Sequence, residues 1–260
     1  MPNSGLIEVL INSISDGFDQ LPLLQHALHQ IWSMAIQENG TMSLIHFAKI
    51  GVINKKILSE SDQQTYDKWL LNQPEYKLNY LKKSGLGNTL DLHANELYET
   101  AYLISKNNLS PDFTEEKVKI IIEKTFQCLT KIDDGRGVRN RMSVNEIRNI
   151  LNESNVTLQE FSSVINIFRT QGNTFINPFI FNEEDEALSD QTILDITHES
   201  LIRNWDKLKE WAVEEDKSFQ TYIDFKKQLD RWNTNKKSRG YLLPIGPLTH
   251  FEEWNSKANI

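Results

Sequence analysis

The run Leu21-Pro-Leu-Leu-Gln-His-Ala-Leu-His-Gln-Ile-Trp-Ser-Met-Ala-Ile36 constrains the fold most. Leu21, Leu24, Leu28, Ile31 and Ala35 recur at intervals of three and four, which sets them on one face of a helix and demands a partner to cover it. Pro22 falls in the first turn, where a missing N–H costs little, and Gly40 is expected to close the helix. Shorter helices are expected on either side, over about 5–14 and over Ser43–Lys49. With 39% apolar and 10% aromatic residues, a chain of 260 has the material for two or three small units, each with its own core.

Several classes are excluded early. No apolar run approaches the roughly 20 residues of a membrane span, and Met-Pro-Asn-Ser-Gly at the start is no secretory signal. The single cysteine, Cys128, forms no internal disulfide and reads as a small core residue. The sequence is that expected of a soluble, cytoplasmic protein without a membrane partner. Its net charge of −8 divides into −4 over residues 1–114, −5 over 115–197 and +1 over 198–260. No third offers the basic surface that nucleic-acid binding requires.

Beyond the first helices, residues 59–90 are polar and irregular, with Pro74, Gly85 and Gly87, and read as an insertion carrying one or two short helices. Leu92–Ser105 returns to helix, and Asn107–Asp112 reads as a boundary. Glu115–Leu129 forms a helix capped by Thr114, with Val118, Ile121, Ile122, Thr125, Phe126 and Leu129 on one side. Asp133–Asn140 reads as a loop, Ser143 as the cap of a helix over 144–151, and Thr157–Gln171 as a third helix. Two β-rich runs follow, Thr174–Phe181 and Thr192–Thr197, joined by an acidic loop. Three helices and then a β-hairpin is the order of a winged helix-turn-helix domain. Helices over His198–Val213, about 216–234 and Leu248–Lys257 complete the chain. The expected fold is therefore mainly α: a helical domain over 1–110, a winged-helix domain over 111–197, and a C-terminal helical region over 198–260.

Catalytic signatures are missing. Gly85-Leu-Gly-Asn-Thr is too short for a phosphate loop and lacks its lysine. His198-Glu-Ser-Leu-Ile202 opens like a zinc-protease helix, but Ile202 stands where the second histidine belongs. His26 and His29 have no carboxylate near them in sequence, so no metal site is expected. A DNA-reading third helix needs outward Arg, Lys, Asn or Gln; Thr157–Gln171 carries one arginine at its far end, and the loop that would be the wing is acidic. His198 opens an amphipathic helix (Leu201, Trp205, Leu208, Ala212) directly after a strand. Helix N-termini favour anions, and a histidine there can donate one N–H to a phosphate oxygen. The same position also suits a histidine bonded only to backbone.

Three blocks, Leu21-Pro-Leu-Leu-Gln-His-Ala-Leu, Asp91-Leu-His-Ala-Asn-Glu-Leu-Tyr-Glu and Ile196-Thr-His-Glu-Ser-Leu-Ile-Arg-Asn-Trp-Asp-Lys-Leu-Lys-Glu-Trp211, occur in this order. Tyr241-Leu-Leu-Pro-Ile-Gly-Pro-Leu and Glu252-Glu-Trp254 follow. Together they resemble the STAND class of P-loop NTPases, specifically the large, mainly bacterial group whose NTPase module often precedes WD repeats. The resemblance covers most of the chain outside 59–90. It implies a helical domain, a winged helix and a second helical region, without the nucleotide-binding domain, which would lie upstream.

By the same resemblance, Pro22 matches the family's adenine-contacting proline, and His198 matches the histidine placed near the ADP β-phosphate. Gln20 stands where the family has glycine, and Ile245 where it has arginine. ADP or ATP with magnesium is implied as cofactor of the complete protein, with no tight binding to this part and no catalysis by it. The implied partners are the upstream nucleotide-binding domain, a downstream repeat domain, and further copies on activation. Two other readings stay open: a transcription regulator using the winged helix on DNA, and a protein-interaction scaffold without a nucleotide role.

Overall fold

Polar caps fix where many of the helices begin. Ser143 and Glu146 bond reciprocally, side chain to backbone, and Thr157 and Glu160 repeat the arrangement. Thr114 and Ser59 accept from the N–H groups of Lys117 and Asp62. The computed structural model describes residues 4–14, 19–38, 40–106, 113–151 and 155–258. It is mainly helical with small antiparallel sheets, and no helix among the described residues is long and apolar enough to cross a membrane. The chain divides into two compact units, Met1–Lys209 and Glu210–Ile260.

The first unit opens with α1 (Ser4–Ser13), α2 (Gln20–Gln37) and α3 (Leu44–Lys49). The stretch read as an insertion holds α4 (Glu60–Leu70), α5 (Glu75–Tyr80) and the start of α6 (Leu86–Ser105). Helix α6 begins earlier than expected, because Leu86 and Leu90 join its buried face. It is the central element, with α2 and α5 packed on it. The buried face of α2 is Leu23, Ala27, Ile31 and Ala35, a strict four-residue spacing. Leu24 and Leu28 border that face, and Leu21 is 64% exposed. The alanines explain the rotation: small side chains let α2 lie close to its neighbours, which centres the contact on them rather than on the leucines.

Next come α7 (Glu115–Cys128), strands β1 (Thr130–Asp133), β2 (Arg136–Arg139) and β3 (Met142–Ser143), helices α8 (Val144–Ile150) and α9 (Leu158–Ile165), then β4 (Ile176–Asn177) and β5 (Ile193–Ile196). The whole expected apolar face of α7 is buried. Strand β5 lies between β3 and β4, antiparallel to both, with Met142 opposite Leu194 and Ile176 opposite Ile196.

Four local features differ from expectation. Asp133–Asn140 is no simple loop: β1 and β2 form a hairpin, with Asp134 (φ 47) and Gly135 (φ 73) as a two-residue turn of left-handed residues. Helix α9 stops at Ile165 and passes into a tight turn over Asn166–Phe168. The two β-rich runs contract to β4 and β5, and β4 ends where Pro178, which has no N–H, would have to extend the ladder. Cys128 is half-buried rather than part of the core. The boundary read at Asn107–Asp112 lies outside the described residues.

Helices α10 (Glu199–Asn204), α11 (Asp206–Thr234) and α12 (Ile245–Ala258) follow. The helix expected over His198–Val213 is interrupted at Trp205 (φ −80, ψ 106), and the break expected before 216 does not occur. Trp205 is fully buried, edge-on to Phe126 at 4.9 Å, and that anchorage turns the chain between α10 and α11. In the second unit, the Trp254 indole N–H donates to Ser218 Oγ at 2.8 Å and Phe225 meets Phe251. An apolar groove of about 310 Å³ lies among Phe225, Leu229, Trp232, Tyr241, Leu242 and Leu248.

Candidate functional site

Helix α10 gathers the sequence blocks into one junction. A Cβ on Gly87 of α6 would lie 2.3 Å from Asn204 Oδ1, and one on Gly137 of β2 would lie 2.4 Å from Ile202 Cγ2. Both glycines therefore let their elements close on α10 where any side chain would hold them off. Ser200, Leu201 and Ile202 are buried there. Arg139 Nη1 donates to the carbonyls of Ile196 (3.1 Å) and Thr197 (3.4 Å), and so fixes the strand end that leads into His198.

Two carboxylates tie this junction to the earlier blocks. Arg203 donates from Nε and Nη2 to the two oxygens of Asp19 (2.5 Å for the second bond), and from Nη1 to Glu199 at 3.0 Å. Asp91 Oδ1 accepts the Asp206 N–H at 3.0 Å, which caps α11, and the Asn95 amide at 2.9 Å. Burial raises the Asp91 carboxyl to about 6, while hydrogen bonding to Lys209 holds Asp206 low. An amide at position 91 keeps the acceptor without the buried charge. Asp91→Asn is therefore expected to match or exceed wild-type stability at pH 7.5, with the difference shrinking below pH 6. Asp91→Ala strands the Asp206 N–H, while the Asn95 amide keeps the Asp91 carbonyl at 2.8 Å, and is expected to cost about 1–3 kcal/mol. Urea denaturation at pH 7.5 and 4.5 measures both.

The two residues predicted from sequence lie on the two elements that the Asp19–Arg203 fork joins. Pro22 sits in the first turn of α2, three residues beyond Asp19, and is half-buried. His198 is the N-cap residue of α10, exposed, and its imidazole makes no hydrogen bond among the described residues. Its carbonyl accepts from Leu201 N–H.

A second cluster lies where α2 meets α6. The His26 and His93 rings stack with centroids 5.1 Å apart, both against Phe175. His93 Nε2 bonds Asn173 Oδ1 at 3.0 Å, and its Nδ1 faces Gln30 Nε2 at 3.2 Å and His26 Nε2 at 3.3 Å. A neutral His93 protonated on Nε2 satisfies every contact, donating to Asn173 and accepting at Nδ1. Burial pushes His93 down to about 4 and His26 well below its ordinary value. Among the described residues no group of three His, Cys, Asp or Glu could hold a metal ion.

Sequence reasoning missed Asp19, Asp91, His93, Asn173 and Arg203 as partners. Asp91, His93 and Arg203 do stand inside the quoted blocks, so the blocks marked them without showing what they touch. Nothing local marks Asp19, whose partner lies 184 residues away.

The family model that matches the chain is one of the STAND NTPase class. More narrowly, the chain belongs to the novel STAND NTPase 1 family, whose model matches residues 2–77 and 76–240. No curated protein and no solved structure matches it.

Proposed function

We propose that this chain is the regulatory, nucleotide-sensing part of a STAND ATPase, which stabilises an ADP-bound closed state and couples ligand sensing further along the polypeptide to oligomerisation. One observation carries the reading: the Asp19–Arg203 fork joins the helix of Pro22 to the helix of His198, and His198 presents an uncommitted imidazole. The residues present fit a nucleotide. Pro22 offers a partly exposed apolar ring for a base, and His198 an exposed N–H donor for a phosphate oxygen. Bound ADP supplies the polyphosphate acceptor and the flat apolar base; the chain supplies orientation. Arg139 holds the backbone before His198, and the buried Leu201 and Ile202 hold the helix behind it. This part of the polypeptide does no catalysis in the proposal, and its direct partner is an upstream nucleotide-binding domain.

The order of α7, β3, α8, α9, β4 and β5, with β5 between its neighbours, supports a winged-helix reading of 111–197. The details weigh against its use on DNA. Arg169, the only cation of its segment, is 1% exposed and donates to Pro178 O, Asn166 Oδ1 and Asp185 O. The outward side of α9 offers Gln159, Ser162 and Ser163 and no positive charge, and α9 itself packs against α6. Phosphate contacts need more cations than this.

The test is ADP retention by the full-length protein. A hydrogen bond to a charged group contributes about 1.5–3 kcal/mol, so His198→Ala is expected to speed ADP release roughly 10–150-fold. Unchanged release and unchanged basal signalling in His198→Ala would refute the sensor role.

A further inference from the structure

Asp19 holds the N-cap position of α2 in a left-handed conformation (φ 77), yet its side chain makes no capping bond to its own helix. An aspartate there ordinarily closes on its helix's free N–H groups. Here both oxygens are given to Arg203, and Glu199 braces the guanidinium from one turn back along α10. A two-point guanidinium–carboxylate pair fixes angle as well as distance. Helix α10 has six residues, too few for its own backbone bonds to hold it in place. Its orientation therefore depends on its tertiary contacts: the buried Leu201 and Ile202 hold one side, and the Asp19 fork ties its last turn to α2. Arg203 sits in its last turn and His198 caps its first, so whatever sets Arg203 also sets His198.

We infer that Arg203 is a positioning residue: through Asp19 it locks α10, with His198, to the first turn of α2, with Pro22. Opening of this fork is the step that uncouples the two nucleotide-facing positions. The inference rests on the nucleotide-sensing reading above and names the contact that regulates it.

The experiment is a double-mutant cycle of Asp19→Asn and Arg203→Gln, with Arg203→Lys as the variant that keeps charge but loses the planar fork. Amide hydrogen exchange on the 260-residue chain is the first readout. Each single substitution is expected to speed exchange in α10 and in the first turn of α2 together, by about tenfold, and the double substitution to add little. Exchange in α7 serves as the internal control and is expected to stay put. ADP release from the full-length protein is the second readout, expected to quicken in Arg203→Gln and, less so, in Arg203→Lys. Fully additive effects, or exchange at α2 that ignores Arg203→Gln, overturn the inference. Release that responds to His198→Ala but not to Arg203→Gln overturns it alone. Release that ignores His198→Ala overturns the nucleotide reading and this inference with it.

Discussion

Trp205→Ala is expected to destabilise the Met1–Lys209 unit by about 3–5 kcal/mol, the range for emptying a fully buried tryptophan site. Two losses combine there. The indole and Phe126 form a perpendicular pair at 4.9 Å, and Phe126 in turn meets Phe168 at 5.2 Å, so a void at 205 loosens rings on two further elements. The residue also sits at the single backbone break between α10 and α11, where its N–H reaches Leu201 and its carbonyl takes Lys209 N–H. Trp205→Phe keeps part of the packing and is expected to cost about half as much. Chemical denaturation followed by circular dichroism measures both, and a cost below about 1 kcal/mol for the alanine variant contradicts this role.

Acid is expected to act through the stacked histidines. His93 has a folded value of about 4 against an ordinary 6.5. Between those limits the unfolded chain binds more protons than the folded one, so stability falls as pH falls. The contribution of a neutral His93 is complete above pH 6.5 and gone near pH 4, a change of about 3 kcal/mol. His26 shifts in the same direction and adds to the loss. The geometry gives the reason: a proton on His93 Nδ1 would face the Gln30 amide and His26 Nε2, while His29 and Lys77 repel the charge. His93→Gln, which keeps a donor toward Asn173, is expected to flatten the stability difference between pH 7 and 4.5. A variant that keeps the full acid loss would move its origin elsewhere.

The apolar periodicity of 115–129 was enough to name five buried positions of α7 and the buried Leu129 that caps it, because that helix is covered along one whole face; only the polar Gln127 escaped it. The same reasoning held for Ile31 and Ala35 of α2 but took Leu21, Leu24 and Leu28 in place of Leu23 and Ala27, since how close a small residue lets a neighbour come is a property of pairs of helices rather than of one. The β1–β2 hairpin was legible in principle from Asp134-Gly135, the dipeptide that suits a two-residue turn. The division of α10 from α11 was not, since nothing about Trp205 in isolation disfavours helix. Of the proposed site, Pro22 and His198 come from the resemblance of the sequence blocks alone. The Asp19–Arg203 fork was not, because two charges so far apart in sequence are matched only by the fold.

On the proposed function, this chain makes bound ADP harder to release. The direct measurement is the rate of ADP dissociation from a nucleotide-binding domain of the kind proposed to lie upstream, alone and joined to this chain, with and without His198→Ala. Release at least tenfold slower in the joined protein, with most of that gain abolished by His198→Ala, is the predicted result. Equal rates for the domain alone, the joined protein and the His198→Ala variant would contradict it.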